Sequence, residues 1–156
     1  ATAVLPLDGT RRDWRERVPA DAERVIVDTP AGIHPDQVAE LLDYVDAIVV
    51  PVLPSPFDLE ATAPFLLEMA ELKPIKRGKV PVAVVANRLK PWTHASQQAL
   101  AEIKGFPFPI VAQLRDSQGY VMATGLGKSL FDYHSEYVRG HQDDWKPLLR
   151  WLKKLG

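Results

Sequence analysis

Three stretches of this chain place polar or charged residues where an α/β protein does its chemistry. The first is Val25-Ile26-Val27-Asp28-Thr29-Pro30-Ala31-Gly32, an apolar run that ends in a carboxylate and passes into a proline and glycine loop. In open parallel sheets ligands bind beyond the carboxyl ends of strands, and an aspartate there can hold a magnesium-bound water beside phosphates. Gly32 would let a backbone N–H approach a γ-phosphate. The competing reading is that Asp28 organises a turn and Pro30 ends the strand. The second stretch runs from Asp46 through Ala47-Ile48-Val49-Val50-Pro51-Val52 into Leu53-Pro54-Ser55-Pro56-Phe57-Asp58-Leu59, and taken alone it is mostly architecture. The third, Val84-Val85-Ala86-Asn87-Arg88, ends a strand in an amide that can meet an adenine edge with one donor and one acceptor. A turn-forming asparagine explains it equally well.

The elements that must position these residues are legible in the hydrophobic pattern. Val25 to Asp28, Ala47 to Val52, Val80 to Asn87 and Phe108 to Leu114 are short runs rich in valine and isoleucine, with Thr2 to Leu7 a weaker fifth. They do not alternate with polar residues, which is the pattern of strands covered on both faces in a parallel sheet. Between them, Asp36 to Tyr44, Asp58 to Leu72 and Thr93 to Ile103 carry apolar residues at helical spacing, such as Val38, Leu41, Leu42 and Val45. Asp58 and Thr93 stand where helix N-caps are wanted. Alternating strands and helices with right-handed crossovers predict an α/β fold of three layers, a mostly parallel sheet with helices on both faces, in one domain.

Composition narrows the function classes. With 156 residues, 46% hydrophobic and 25% charged, the chain can bury one sizeable core. A formal charge of -1 supplies no global field, so any contact with nucleic acid or an acidic membrane must rest on a local patch. The absence of cysteine excludes a disulfide framework and thiolate metal sites within this sequence and fits a reducing compartment, with the cytoplasm as the plain expectation. No apolar run reaches the roughly 18–20 residues that span a bilayer. His34, His94, His134 and His141 show no ligand spacing with one another, so surface or packing roles are expected for them.

Taken in order, the three stretches resemble the ParA/MinD family of deviant P-loop ATPases, most of all its short ParA-like subgroup. The match continues through Phe108-Pro109-Ile110-Val111, Arg115-Asp116-Ser117 and Thr124 to Asp132, and so covers roughly residues 1 to 135. The DTPAG segment followed by DAIVVPVLPSPFDL is its most specific part. The resemblance implies a P-loop NTPase-like fold and an ATP- and magnesium-dependent homodimer. Such a dimer partitions plasmids or chromosomes, or positions other cargo, and a ParB-like or cargo adaptor protein triggers its hydrolysis. By position, Asp28 matches the Walker-B-like aspartate, with catalytic and metal-holding roles, and Thr29, Pro30 and Gly32 belong to the second switch loop. Asn87 matches the residue near adenine, with Arg88 beside it and Arg115 bordering the base.

The family's lysine-bearing glycine-rich loop, first strand and first switch aspartate would all precede Ala1, so the fold is expected to be incomplete at its N-terminus and the chain alone inactive. Gly127-Lys128-Ser129 does not replace that loop, because the glycine required five residues before Gly127 falls at Met122. A natural protein that has the missing segment is the expectation. The alternative is a non-catalytic homologue that acts through protein contacts.

The C-terminal segment predicts an amphipathic helix within residues 141–155. Trp145, Leu148, Leu149, Trp151, Leu152 and Leu155 fall on one side, and Lys146, Arg150, Lys153 and Lys154 on the other, with Pro147 in the first turn. A membrane-surface anchor, as in the MinD branch, has this pattern, and so does a terminal helix docked on its own domain. Docking through Trp145, Leu149 and Leu152 is the expectation, which leaves the lysines to solvent or to non-specific DNA.

Overall fold

The computed structural model describes residues 4–155 and divides into two compact units, one ending at Ile33 and the other beginning at His34. In the first, the regular element among the described residues is a single 3-10 turn, Trp14–Arg17, and its other described residues are turns and irregular chain. Asp13 gathers the turn by accepting from Arg11 Nε at 3.0 Å and from Arg17 Nε at 3.0 Å. These bonds hold the Asp13 carboxyl below its ordinary value, the Arg11 bond most of all.

Val25 to Asp28 corrects one expectation, since this segment has no regular secondary structure and belongs to no strand, with Ile26 91% exposed. A strand exists only through the ladder it shares with a neighbour, and the sheet described here has three strands, none of them this one. Of the weaker Thr2 to Leu7 run, Thr2 and Ala3 lie outside the described residues, and Val4 to Leu7 forms no strand.

The larger unit is α/β. It opens with helix α1, Pro35–Leu41, where the His34 N–H donates to Gln37 Oε1 at 3.0 Å across the first turn. Strand β1, Ile48–Val52, leads into α2, Pro56–Glu71, and a single turn α3, Lys73–Lys76. Strand β2, Val82–Leu89, precedes α4, His94–Ile103, and strand β3, Ile110–Arg115, precedes α5, Gln118–Gly125, and α6, Glu136–Lys153. The sheet is parallel in the order β1-β2-β3. Ser55, not Asp58, takes the N-cap position of α2, because Pro56 supplies the first helical residue at no cost in hydrogen bonds; Asp58 sits in the first turn, where its charge suits the helix dipole. Thr93 does cap α4, accepting from Ser96 N–H at 3.3 Å.

The centre of this unit is β2. Val82, Ala83, Val84, Val85 and Ala86 are all buried although successive side chains point to opposite faces of the sheet. Helix α2 packs against β1 and against α4, and α4 packs against β2, with Leu66, Met69 and Ile103 fully withdrawn from water. Helix α6 packs on β3, where Val85, Ala112, Leu114 and Leu148 form a buried cluster joined by Val111, Trp145, Trp151 and Leu152. The edge strand β1 carries Pro51. Because the Ile48 N–H donates to Pro81 O at 3.0 Å, residues 49 and 51 direct their backbone groups away from β2, where a missing N–H breaks no rung.

Helix α6 departs from expectation in three ways. It starts at Glu136, which leaves Pro147 in the interior rather than the first turn. That position deletes the bond to the Asp143 carbonyl and costs roughly 3 kcal/mol in a free helix, and docking through Trp145, Leu148, Trp151 and Leu152 holds both halves to the sheet. The third departure is that Leu148, 6% exposed, occupies the buried position expected of Leu149, which is 46% exposed. No helix among the described residues is long and apolar enough to cross a membrane.

Cutting Leu148 back to alanine removes a buried side chain and leaves a cavity, so Leu148→Ala is expected to lower unfolding free energy by about 2–4 kcal/mol. Leu149→Ala should cost less than about 1 kcal/mol. Urea unfolding of the two variants checks this, and a larger loss at Leu149 would refute the docked face described here.

Candidate functional site at the carboxyl ends of two strands

The carboxyl ends of β2 and β3 are adjacent, and they bring together Arg88 and Asp116, 28 positions apart in sequence. Regular pairing breaks between Ala86 and Leu89, and in that gap Arg88 takes a left-handed backbone conformation, φ 53°. A residue with a side chain pays on the order of 1 kcal/mol for that region, and it marks a corner that the surroundings impose. Asn87 contributes locally, its Oδ1 accepting from the Arg88 N–H at 2.9 Å. Arg88 turns its guanidinium to Asp116, with Nε 3.3 Å from Oδ1, and Lys90 Nζ lies 3.8 Å from Oδ2 of the same carboxylate. The Asp116 N–H closes the corner by donating to Leu89 O at 2.8 Å.

Next to it, Arg115 is engaged from α6. Its Nε and Nη2 donate to Asp144 Oδ2 and Oδ1 at 2.6 and 2.7 Å, and its backbone N–H reaches Oδ2 at 3.3 Å. Nη2 also donates to Gly140 O at 3.1 Å. The Asp144 bonds raise the guanidinium above its already high ordinary value, against the pull of burial, so Arg115 is a permanent cation. Ser117 starts α5, its Oγ accepting from Gly119 N–H at 3.1 Å. The middle of α6 is fastened by the Trp145 Nε1 donation to Tyr120 OH at 3.0 Å, and burial lifts that phenol above its ordinary range and keeps it neutral.

Beside this corner lies an open depression of about 350 Å³ lined by Leu89, Pro91, Trp92, Gln113, Arg115 and Asp144. Trp92 is 75% exposed there, a large aromatic face left to solvent. Leu89 and Pro91, the exposed Trp92 indole and the Gln113 amide offer both apolar surface and a polar edge to a flat heteroaromatic ring.

The sequence-derived residues are divided between the two units. Asn87, Arg88 and Arg115 stand together at the ends of β2 and β3. Asp28, Thr29, Pro30 and Gly32 belong to the smaller unit, where Asp28 is exposed on irregular chain rather than at a strand end and Gly32 turns with φ 72°. The reason is that Val25 to Val27 shares no ladder with the three described strands, so Asp28 does not stand at a strand end. Among the described residues no group of three or more acidic, histidine or cysteine side chains is placed to hold a metal. Gly127-Lys128-Ser129 is a turn after α5: Gly127 has φ 64°, and Ser129 Oγ caps the short turn Leu130–Asp132 by accepting from Phe131 N–H at 3.2 Å. His141 has the packing role expected, buried with Nδ1 donating to Tyr137 O at 2.8 Å.

Asp144, Lys90, Gln113 and Trp92 are what sequence reasoning missed. Asp144 lies 29 positions from Arg115, and no local spacing announces the pair. Comparison of the chain with family models, with curated proteins and with solved structures finds no match in any of the three.

Replacement of Arg88 separates backbone from side-chain effects. Arg88→Gly relieves the left-handed strain while losing an exposed ion pair, so stability should stay within about 0.5 kcal/mol of the parent. Arg88→Val forces a β-branched residue into the same conformation and should cost about 1–2 kcal/mol. Equal losses in chemical denaturation would contradict the strained corner.

Proposed function

We propose that this chain is part of a ParA-like ATPase of the P-loop NTPase type, a three-layer α/β switch that works as an ATP- and magnesium-dependent homodimer and positions DNA or other cargo with an adaptor protein. The observation that carries this reading is the meeting of Asn87-Arg88 with Arg115-Asp116-Ser117 at adjacent parallel strand ends, joined through the Arg88 to Asp116 ion pair. These are the segments that the resemblance assigns to the base of the nucleotide. The parallel order β1-β2-β3 and the strand-to-helix alternation support the same reading. The apolar side of α6 is occupied by β3, which favours a DNA- or cargo-positioning protein over a membrane-anchored one.

In this reading Asn87 and the backbone around Arg88 orient the base edge, and Asp116 holds Arg88 and Lys90 in place around it. ATP would supply the energy of the switch when bound, with Asp28 as the carboxylate for its magnesium shell. Residues 1–156 contain no G-x-x-x-x-G-K-[ST] loop, and phosphate contacts in such sites come mostly from that loop.

Two measurements on the chain test this. Calorimetry should find no micromolar binding of magnesium ATP, because the phosphates lack their cradle. Adenosine, in contrast, should shift the amide resonances of Asn87, Arg88, Lys90 and Asp116 with an affinity on the order of 1 mM, worth about 4 kcal/mol. Adenosine that moves no amide at either strand end would defeat the base-site assignment, and micromolar ATP binding would require a different phosphate site.

A further inference from the structure

We propose that Asp144 is a positioning residue for the corner at the ends of β2 and β3, so that docking of α6 and occupancy of that corner form one linked equilibrium; this rests on the base-site reading above. A single carboxylate on α6 fixes three hydrogen-bonding groups of Arg115, the backbone N–H, Nε and Nη2. Arg115 therefore cannot shift at its main chain or at its head without disturbing α6. The next residue, Asp116, binds the end of β2 in the same two ways, its N–H to Leu89 O and its carboxylate to Arg88 and Lys90. Arg88 in turn holds the Asn87 amide through its own N–H.

The path from helix to corner is thus Asp144, Arg115, Asp116, Arg88 and Asn87, with a hydrogen bond, an ion pair or a peptide bond at every step. Its geometry is two-point at Asp144, and a two-point contact between planar groups transmits orientation as well as distance. Asp144 is also well placed for the task, since its side chain is 14% exposed whereas that of Arg88 is 65% exposed, so the fixed end is the helix and the adjustable end is the corner. The rest of α6 is anchored independently, by Leu148 in the core cluster and by Gln142 Nε2 donating to Leu130 O at 2.8 Å and Tyr133 O at 2.9 Å. A ligand that stiffens the corner then favours the docked helix, and by reciprocity the docked helix favours the ligand.

The test uses the intact chain with Asp144→Asn, which keeps the shape of the side chain and removes its charge, and Asp144→Ala, which removes the contact. Without ligand, both variants are expected to shift the amide resonances of Asn87, Arg88 and Lys90 while those of β1 and α2 stay in place. With adenosine as probe, Asp144→Ala should weaken binding at least about fivefold, Arg115→Ala should match it, and the double variant should be no weaker than either single one. If the ligand-free changes stop at Arg115 and α6, or if adenosine affinity is unchanged in a folded Asp144→Ala protein, Asp144 is only a fastening for the helix and the proposal fails. If the parent chain itself does not bind adenosine, the base-site reading fails, and propagation of the ligand-free shifts to Asn87 then decides the positioning role by itself. Should Asp144→Ala not fold, the isosteric Asp144→Asn variant carries both arms.

Discussion

Five consecutive residues of β2, Val82 to Ala86, are withdrawn from water, and because neighbours on a strand face opposite ways this requires cover on both sides of the sheet. Such a strand has no polar face to show solvent, so its flanking strands and helices are placed by the need to exclude water from it. Val85 is met by the cluster that includes Ala112, Leu114 and Leu148. Val82, Val84 and Ala86 project the other way and are equally dry. At about 25 cal/mol per Å² of apolar surface, this burial is the main term that orders the larger unit.

The same constraint explains why the strand ends carry the polar chemistry. Burial holds through Ala86, and the first residues free of it are Asn87 and Arg88, where the ladder with β3 also loses its regular register. A left-handed Arg88 and a carboxylate shared by two cations are tolerated there because the strand behind them is buried on both faces. The site is thus built where a well-packed strand runs out.

Much of this was written in the local pattern of the chain. Uninterrupted valine and isoleucine runs located β1, β2 and β3, and Thr93 marked the start of α4 because its hydroxyl can serve an orphan amide. What failed did so where the outcome depends on distant partners. Val25 to Val27 has strand composition, but composition cannot provide a neighbour to pair with. The polar stretch Glu136 to Asp144 hid the first half of α6, and Gly140 within it argues locally against a helix that tertiary contacts nonetheless sustain. The choice of Leu148 over Leu149 turns on about 100° of rotation, which Pro147 and the docking of two tryptophans decide. Asn87 and Arg88 were legible as candidates; Asp144 was not, since its meaning lies wholly in Arg115.

Pro51 has a bearing on what can lengthen the sheet. The outer side of β1 presents backbone groups from residues 49 and 51, and at residue 51 there is a carbonyl but no N–H. A chain arriving along that side finds an acceptor without its matching donor, so only an alignment that asks nothing of the missing proton can zip fully. The edge works as a keyed slot: it rejects most registers of a stray strand, and with them the indiscriminate stacking by which bare sheets grow into fibres.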